Sequence, residues 1–140
     1  MHTSRLLATV VLAAALGLTG CGGEEEKSIS KTDFLEQGNS ICSEGNAAID
    51  AVGDTLDQND PDAVLAAIKD QVVPLIQGQV DDLRDLGYPD GDKDSLEGLY
   101  ADTEDVLASW TDDPSTALSD TSMDPINAGM TDYGLTECGN

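Results

Sequence analysis

The dipeptide Asp-Pro occurs three times in this chain, as Asp60-Pro61, Asp113-Pro114 and Asp124-Pro125. An Asp can accept hydrogen bonds from the free N–H groups of a helix's first turn. A Pro just after it loses nothing, because an N–H there has no partner in the helix. Each pair therefore marks a helix start. After Asp60, Val64, Leu65, Ile68, Val72, Leu75, Ile76, Leu83 and Leu86 hold a period of 3.6 residues, and Gly87 is placed to end the run. Pro74 interrupts this helix. It removes one backbone hydrogen bond and crowds the carbonyl four residues back, so a kink is expected over residues 70–74.

The helix before this one starts near Ser30 or Thr32, with Asp33 and Glu36 in its first turn. Leu35, Cys42, Ile49 and Leu56 recur every seven residues, with Gly38, Gly45 and Val52 between them and Phe34 and Ile41 widening the stripe. The two glycines weaken the helix by about 1 kcal/mol each, and they let a neighbouring helix approach closely. Downstream, Tyr88-Pro89-Asp90-Gly91 reads as a turn, and Asp92 or Asp94 as the cap of a helix carrying Leu96, Leu99, Tyr100, Thr103, Val106, Leu107 and Trp110. Asp94 and Glu97 have capping-box spacing. Asp113-Pro114 begins a short helical stretch through Leu118. Asp124-Pro125 begins a last helix with Ile126, Met130 and Tyr133, stopped by Gly134. No stretch alternates apolar and polar residues long enough for a strand. The expected fold is all-α: a small antiparallel, up-down four-helix bundle.

The N-terminus obeys different rules. Residues 6–18 form an uncharged apolar run behind His2 and Arg5, too short for a permanent membrane helix and suited to a signal-peptide core. Leu18-Thr19-Gly20-Cys21 follows it, and resembles the bacterial lipobox: an aliphatic residue, two small ones, then Cys. The resemblance implies cleavage between Gly20 and Cys21 and a diacylglycerol thioether on the Cys21 sulfur. Two acyl chains anchor a protein stably where one does not. The division that follows is a signal peptide over 1–20, a lipidated Cys and flexible acidic tether over 21–30, and a helical domain over 31–140. The expected location is the outer face of the cell membrane. The alternative is an ordinary signal peptide cut near the same point.

Charge and composition narrow the chemistry. From Cys21 onward five basic residues face 28 acidic ones, a side-chain charge of −23. Such a chain is expected to stay soluble and monomeric and to bind no nucleic acid, where Lys and Arg must displace counterions. His2 is the only His and lies in the segment to be removed, so Ser-His and Cys-His pairs, His metal ligands and a His base are excluded from the mature chain. Cys42 and Cys138 remain once Cys21 carries lipid. In an oxidising compartment a disulfide is the default for such a pair, with free thiols the alternative. Asp90-Gly91-Asp92-Lys93-Asp94 looks like a calcium loop but fails as an EF-hand, with Ser95 where Gly is needed and Ala101 where Glu is needed. No metal and no cofactor is expected. Asp81, Asp82 and Asp85 read as a solvated acidic face, and Tyr100, Trp110 and Tyr133 as core residues.

Three stretches carry a wider resemblance: Phe34-Leu35 with Asn39, Ile41-Cys42 and Asn46; Val73-Pro74-Leu75 through Leu83-Arg84-Asp85-Leu86-Gly87; and Tyr133 through Gly139. Together they resemble small helical lipoproteins, of the uncharacterised type, found in high-GC Gram-positive bacteria. The resemblance implies that the tail Cys pairs with the Cys of the first helix, and it implies no activity. The expected function is a non-catalytic binding or envelope-support module. The alternatives are a small-ligand or lipid carrier, with a cavity between helices at the Pro74 kink, and, ranked last, an enzyme that works with carboxylates alone.

Overall fold

A computed structural model describes residues 27–119 and 121–140. The expected signal peptide, its cleavage site at Gly20 and Cys21, and the first residues of the expected tether lie outside the described residues.

Helix α1 (Lys31–Thr55) is capped by Ser30, whose Oγ accepts from the Asp33 N–H at 3.1 Å. Phe34, Gly38 and Cys42 form its buried stripe. At Gly38 an added Cβ would press on Leu83 and Leu135, so the glycine is the seat on which two buried leucines meet the helix.

The next rod has three parts: α2 (Pro61–Ala67), a π-helical turn (Ile68–Val72) and α3 (Val73–Leu86). Asp60 caps it as expected, accepting from the N–H groups of Asp62 and Ala63. The disturbance expected over residues 70–74 is present at Ile68–Val72 and takes the form of the π turn. There the Val73 N–H reaches back five residues to the Ile68 carbonyl. Pro74 offers no N–H to the Asp70 carbonyl, and its ring crowds that group. One extra residue in the turn relieves both conflicts. The rod ends at Gly87, at φ +86°, where a Cβ would collide with the Lys27 carbonyl. That approach lets Lys27 O accept from the Tyr88 N–H at 3.1 Å, and Lys27 Nζ donates to the Asp85 carbonyl at 2.7 Å. Residues 27–30 thus lie against the body, through a single bridge between Ser28 and Tyr88.

Helix α4 (Lys93–Asp112) departs from expectation at its start. Asp92 holds the cap position, but its side chain makes no cap bond. It accepts instead from Tyr133 Oη at 2.7 Å and Lys31 Nζ at 3.2 Å. The Asp94–Glu97 capping box does not form either, because Glu97 is drawn to Arg84 and Tyr88. After α4, Asp113 caps a 3-10 turn (Pro114–Leu118) by accepting from the Ser115 N–H. Helix α5 (Met123–Tyr133) begins ahead of Asp124-Pro125, with Ser122 at the cap position, so Pro125 falls inside the first turn. A missing N–H is tolerated there. Gly134, at φ +113°, stops α5.

The four rods make an all-α small helical bundle. Phe34, Leu83, Leu96, Tyr100 and Leu135 are fully buried at its centre. Among the described residues, no helix is long and apolar enough to cross a membrane.

Candidate functional site

The C-terminal tail is fastened to α1 along one helical stripe. Cys42 and Cys138 are joined as a disulfide, with their Cα atoms 4.9 Å apart. One turn before, Asn39 Nδ2 donates to the Gly134 carbonyl at 3.0 Å, and Asn39 Oδ1 accepts from the Glu137 N–H at 2.9 Å. One turn after, Asn46 Nδ2 donates to the Glu137 carbonyl at 2.7 Å. These bonds satisfy tail backbone groups that belong to no helix. Leu135 drives the closure, since its side chain is fully buried against Gly38. Sequence reasoning foresaw the cysteine pair but gave no role to the two asparagines. Their signal was spacing: Asn39, Cys42 and Asn46, three and four residues apart, share one face of α1.

Held in this way, the tail becomes the wall of a half-open cleft of about 410 Å³. Asn46, Ile49 and Asp50 face it from α1, Ile76 and Gln79 from α3, and Trp110 from the end of α4. Met123 and Asn127 of α5 and Cys138 and Asn140 of the tail complete it. A smaller void of about 40 Å³ shares Ile76, Gln79, Met123, Asn127 and Cys138 and runs inward toward Val80, Ile126 and Met130. The site is therefore polar at its mouth and apolar beneath. The Gln79 side chain lies across α1 at Gly45, where a Cβ would strike it. This is the close helix approach that the seam glycines imply. Among the described residues, the side chains of Gln79, Asp50, Asn127 and Asn140 make no hydrogen bond, although they converge on one space. Sequence reasoning placed Trp110 in the core. It is 9% exposed and also lines this cleft.

The expectation of a cavity at Pro74 finds a different feature. Ala48, Val52, Gln71, Pro74 and Leu75 border an open surface trough of about 430 Å³, while the deeper cleft lies against Ile76 and Gln79.

A second polar cluster lies between α3 and α4. Arg84 stands among Asp81, Asp82 and Asp85 in the sequence, but it turns toward α4. Its Nη1 and Nη2 donate to Glu104 at 2.5 and 3.0 Å, and its Nε and Nη2 donate to Glu97 at 3.3 and 3.2 Å. Gln77 also donates to Glu104, and Tyr88 Oη to Glu97. The Arg84 and Gln77 donors hold the Glu104 carboxyl down at about 2. The Tyr88 hydroxyl, with Arg84 behind it, lowers Glu97 as well. A general acid needs a raised pKa, and here both carboxylates are locked in the ionised form on one guanidinium. The cluster is a strut between two helices. The Arg84 guanidinium also lies 5.3 Å over the Tyr100 ring, and burial raises the Tyr100 phenol above its ordinary range.

The acidic loop is occupied by contacts of its own. Asp90 accepts from Ser28 and Asp92 from Tyr133 and Lys31. Among the described residues, no group of three His, Cys, Asp or Glu side chains is placed to hold a metal ion. No family model, curated protein or solved structure matches this chain, so the functional reading rests on the cleft and on the residues that build it.

Proposed function

We propose that this protein is a membrane-anchored, extracytoplasmic lipoprotein that acts as a non-catalytic binding module, with the tail-walled cleft as its binding site. The cleft is the observation that carries this reading. Its volume lies within the roughly 300–1,000 Å³ range of small-molecule pockets, and unengaged polar groups line an otherwise apolar surface, as specific sites require. The Leu18-Thr19-Gly20-Cys21 lipobox supports the anchor. The absence of His after residue 2 and the pairing of Glu97 and Glu104 with Arg84 support a role without catalysis. One test has two parts. Intact-mass analysis of the membrane fraction should find a chain beginning at a diacylglycerol-modified Cys21, and an unmodified soluble product removes the anchor. Thermal-shift screening of the folded domain against small molecules extracted from its own envelope should raise Tm. A null screen with a Trp110 emission that nothing perturbs removes the binding site.

The trough beside Pro74 favours a second reading, a small-ligand or lipid carrier. Its apolar border of Ala48, Val52, Pro74 and Leu75 suits an acyl chain. It is open along one side, however, whereas pockets that hold such ligands bury most of their surface.

A further inference from the structure

We propose that the cleft takes a neutral saccharide, one or two sugar rings in size; this rests on the cleft being the binding site. Its lining selects against the other small-ligand classes. No Lys or Arg lines it, Asp50 does, and the domain around it carries a large negative charge, so a phosphate or carboxylate ligand finds no countercharge and is repelled by the surrounding field. An acyl chain would strip water from the amides of Gln79, Asn127 and Asn140 without replacing the lost hydrogen bonds, which is costly. A sugar meets both demands. Each amide offers a donor and an acceptor side by side, and a carboxylate offers two acceptors, the pattern that adjacent hydroxyls satisfy. The C–H face of the ring then rests on Ile49, Ile76 and Trp110.

Size and preorganisation agree with this class. The cleft has room for about a dozen water molecules, enough for a hexose ring with some water retained. Gln79 is held across Gly45, so one of the recognising amides is in place before a ligand arrives.

Trp110 is the only Trp in the chain, so its emission reports on this cleft alone. The folded, oxidised domain should be titrated with glucose, N-acetylglucosamine and maltose, with inorganic phosphate and dodecanoate as probes of the rival classes. At least one sugar should give a saturable change in Trp110 emission, with a Kd of about 1 mM or tighter. Gln79→Ala and Asn127→Ala, each with an unchanged melting curve, should weaken that binding at least tenfold. If either variant fails to fold, the conservative Gln79→Glu serves, with the same loss expected. Saturable binding of dodecanoate or phosphate with none of the sugars overturns the sugar assignment and leaves the binding-module reading standing. Failure of all five probes overturns the sugar assignment, and a simultaneous null in the envelope-extract screen removes the binding-module reading too. Sugar binding that survives both amide variants places the ligand elsewhere and also overturns the proposal.

Discussion

Two polar side chains on α4, one buried and one half-buried, show how differently neighbouring residues can be treated. Tyr100 is fully buried, and its hydroxyl has no hydrogen-bond partner among the described residues. A hydroxyl in that position lost its water and gained nothing, so Tyr100→Phe should leave the stability unchanged or raise it by up to about 1 kcal/mol. A clear loss on thermal melting would mean that the hydroxyl is bonded after all. One turn further on, Glu104 is fully served by Arg84 and Gln77. Its folded pKa of about 2 lies below the ordinary 4.5, so the folded state favours its ionised form. Its contribution to stability is complete above about pH 4.5 and is lost as the pH falls from there toward 2. The comparison with Glu104→Gln isolates this effect from every other carboxylate. The gap in melting temperature between the parent and the variant should be widest near pH 7 and should narrow steadily below about pH 4.5. A gap that stays constant with pH would mean that the Arg84 strut contributes through packing and not through charge.

At the scale of the helices, the seam glycines do work that helix propensity alone disfavours. Gly38 and Gly98 both lie inside helices, yet a Cβ at Gly38 presses on two buried leucines, while a Cβ at Gly98 meets open space. Gly98→Ala should therefore stabilise the protein by about 0.5–1 kcal/mol. Gly38→Ala has the same propensity gain to set against an overpacking cost of about 1–3 kcal/mol, and should destabilise. Denaturant melts of the two variants should move in opposite directions; if they move together, α1 does not pack as closely as described. The same elements show what a sequence reveals and what it hides. Asp60-Pro61, Gly87 and Gly134 act through the backbone beside them, so their helix boundaries were legible from residue type alone. The cap bonds expected of Asp92 and Glu97 do not form because partners distant in sequence, Lys31 and Tyr133 for Asp92 and Arg84 for Glu97, take their carboxylates. The cysteine pair could be counted. The cleft could not be found in this way, because its wall comes from four helices and a tail that meet only after folding. Pro74 announced a conflict, but its resolution as a π turn depends on how the carbonyl ladder shifts, and the sequence does not carry that.

Across the whole molecule, repulsion outweighs the few attractive pairs. Of the five basic residues from Cys21 onward, four are already committed: Arg84 to Glu97 and Glu104, Lys31 to Asp92, Lys27 to the Asp85 carbonyl, and Lys93 beside the Tyr88 ring, which leaves Lys69 clear of such contacts among the described residues. Most carboxylates among the described residues are left facing solvent. Unfolding moves those charges apart, so the folded state carries the larger electrostatic penalty. Salt should relieve it. The screening length falls from about 30 Å at 0.01 M to about 10 Å at 0.1 M and about 3 Å at 1 M, across the range of spacings on a domain of this size. Raising sodium chloride from about 0.01 M to about 0.5 M should lift the melting temperature by several degrees, most of it below about 0.15 M, where screening changes fastest. The Arg84 strut is half-buried and should lose little over that range. A melting temperature that falls with salt would mean that the few attractive pairs hold the bundle together against its charge, and would make the Arg84 cluster a larger part of the fold's stability than its geometry implies.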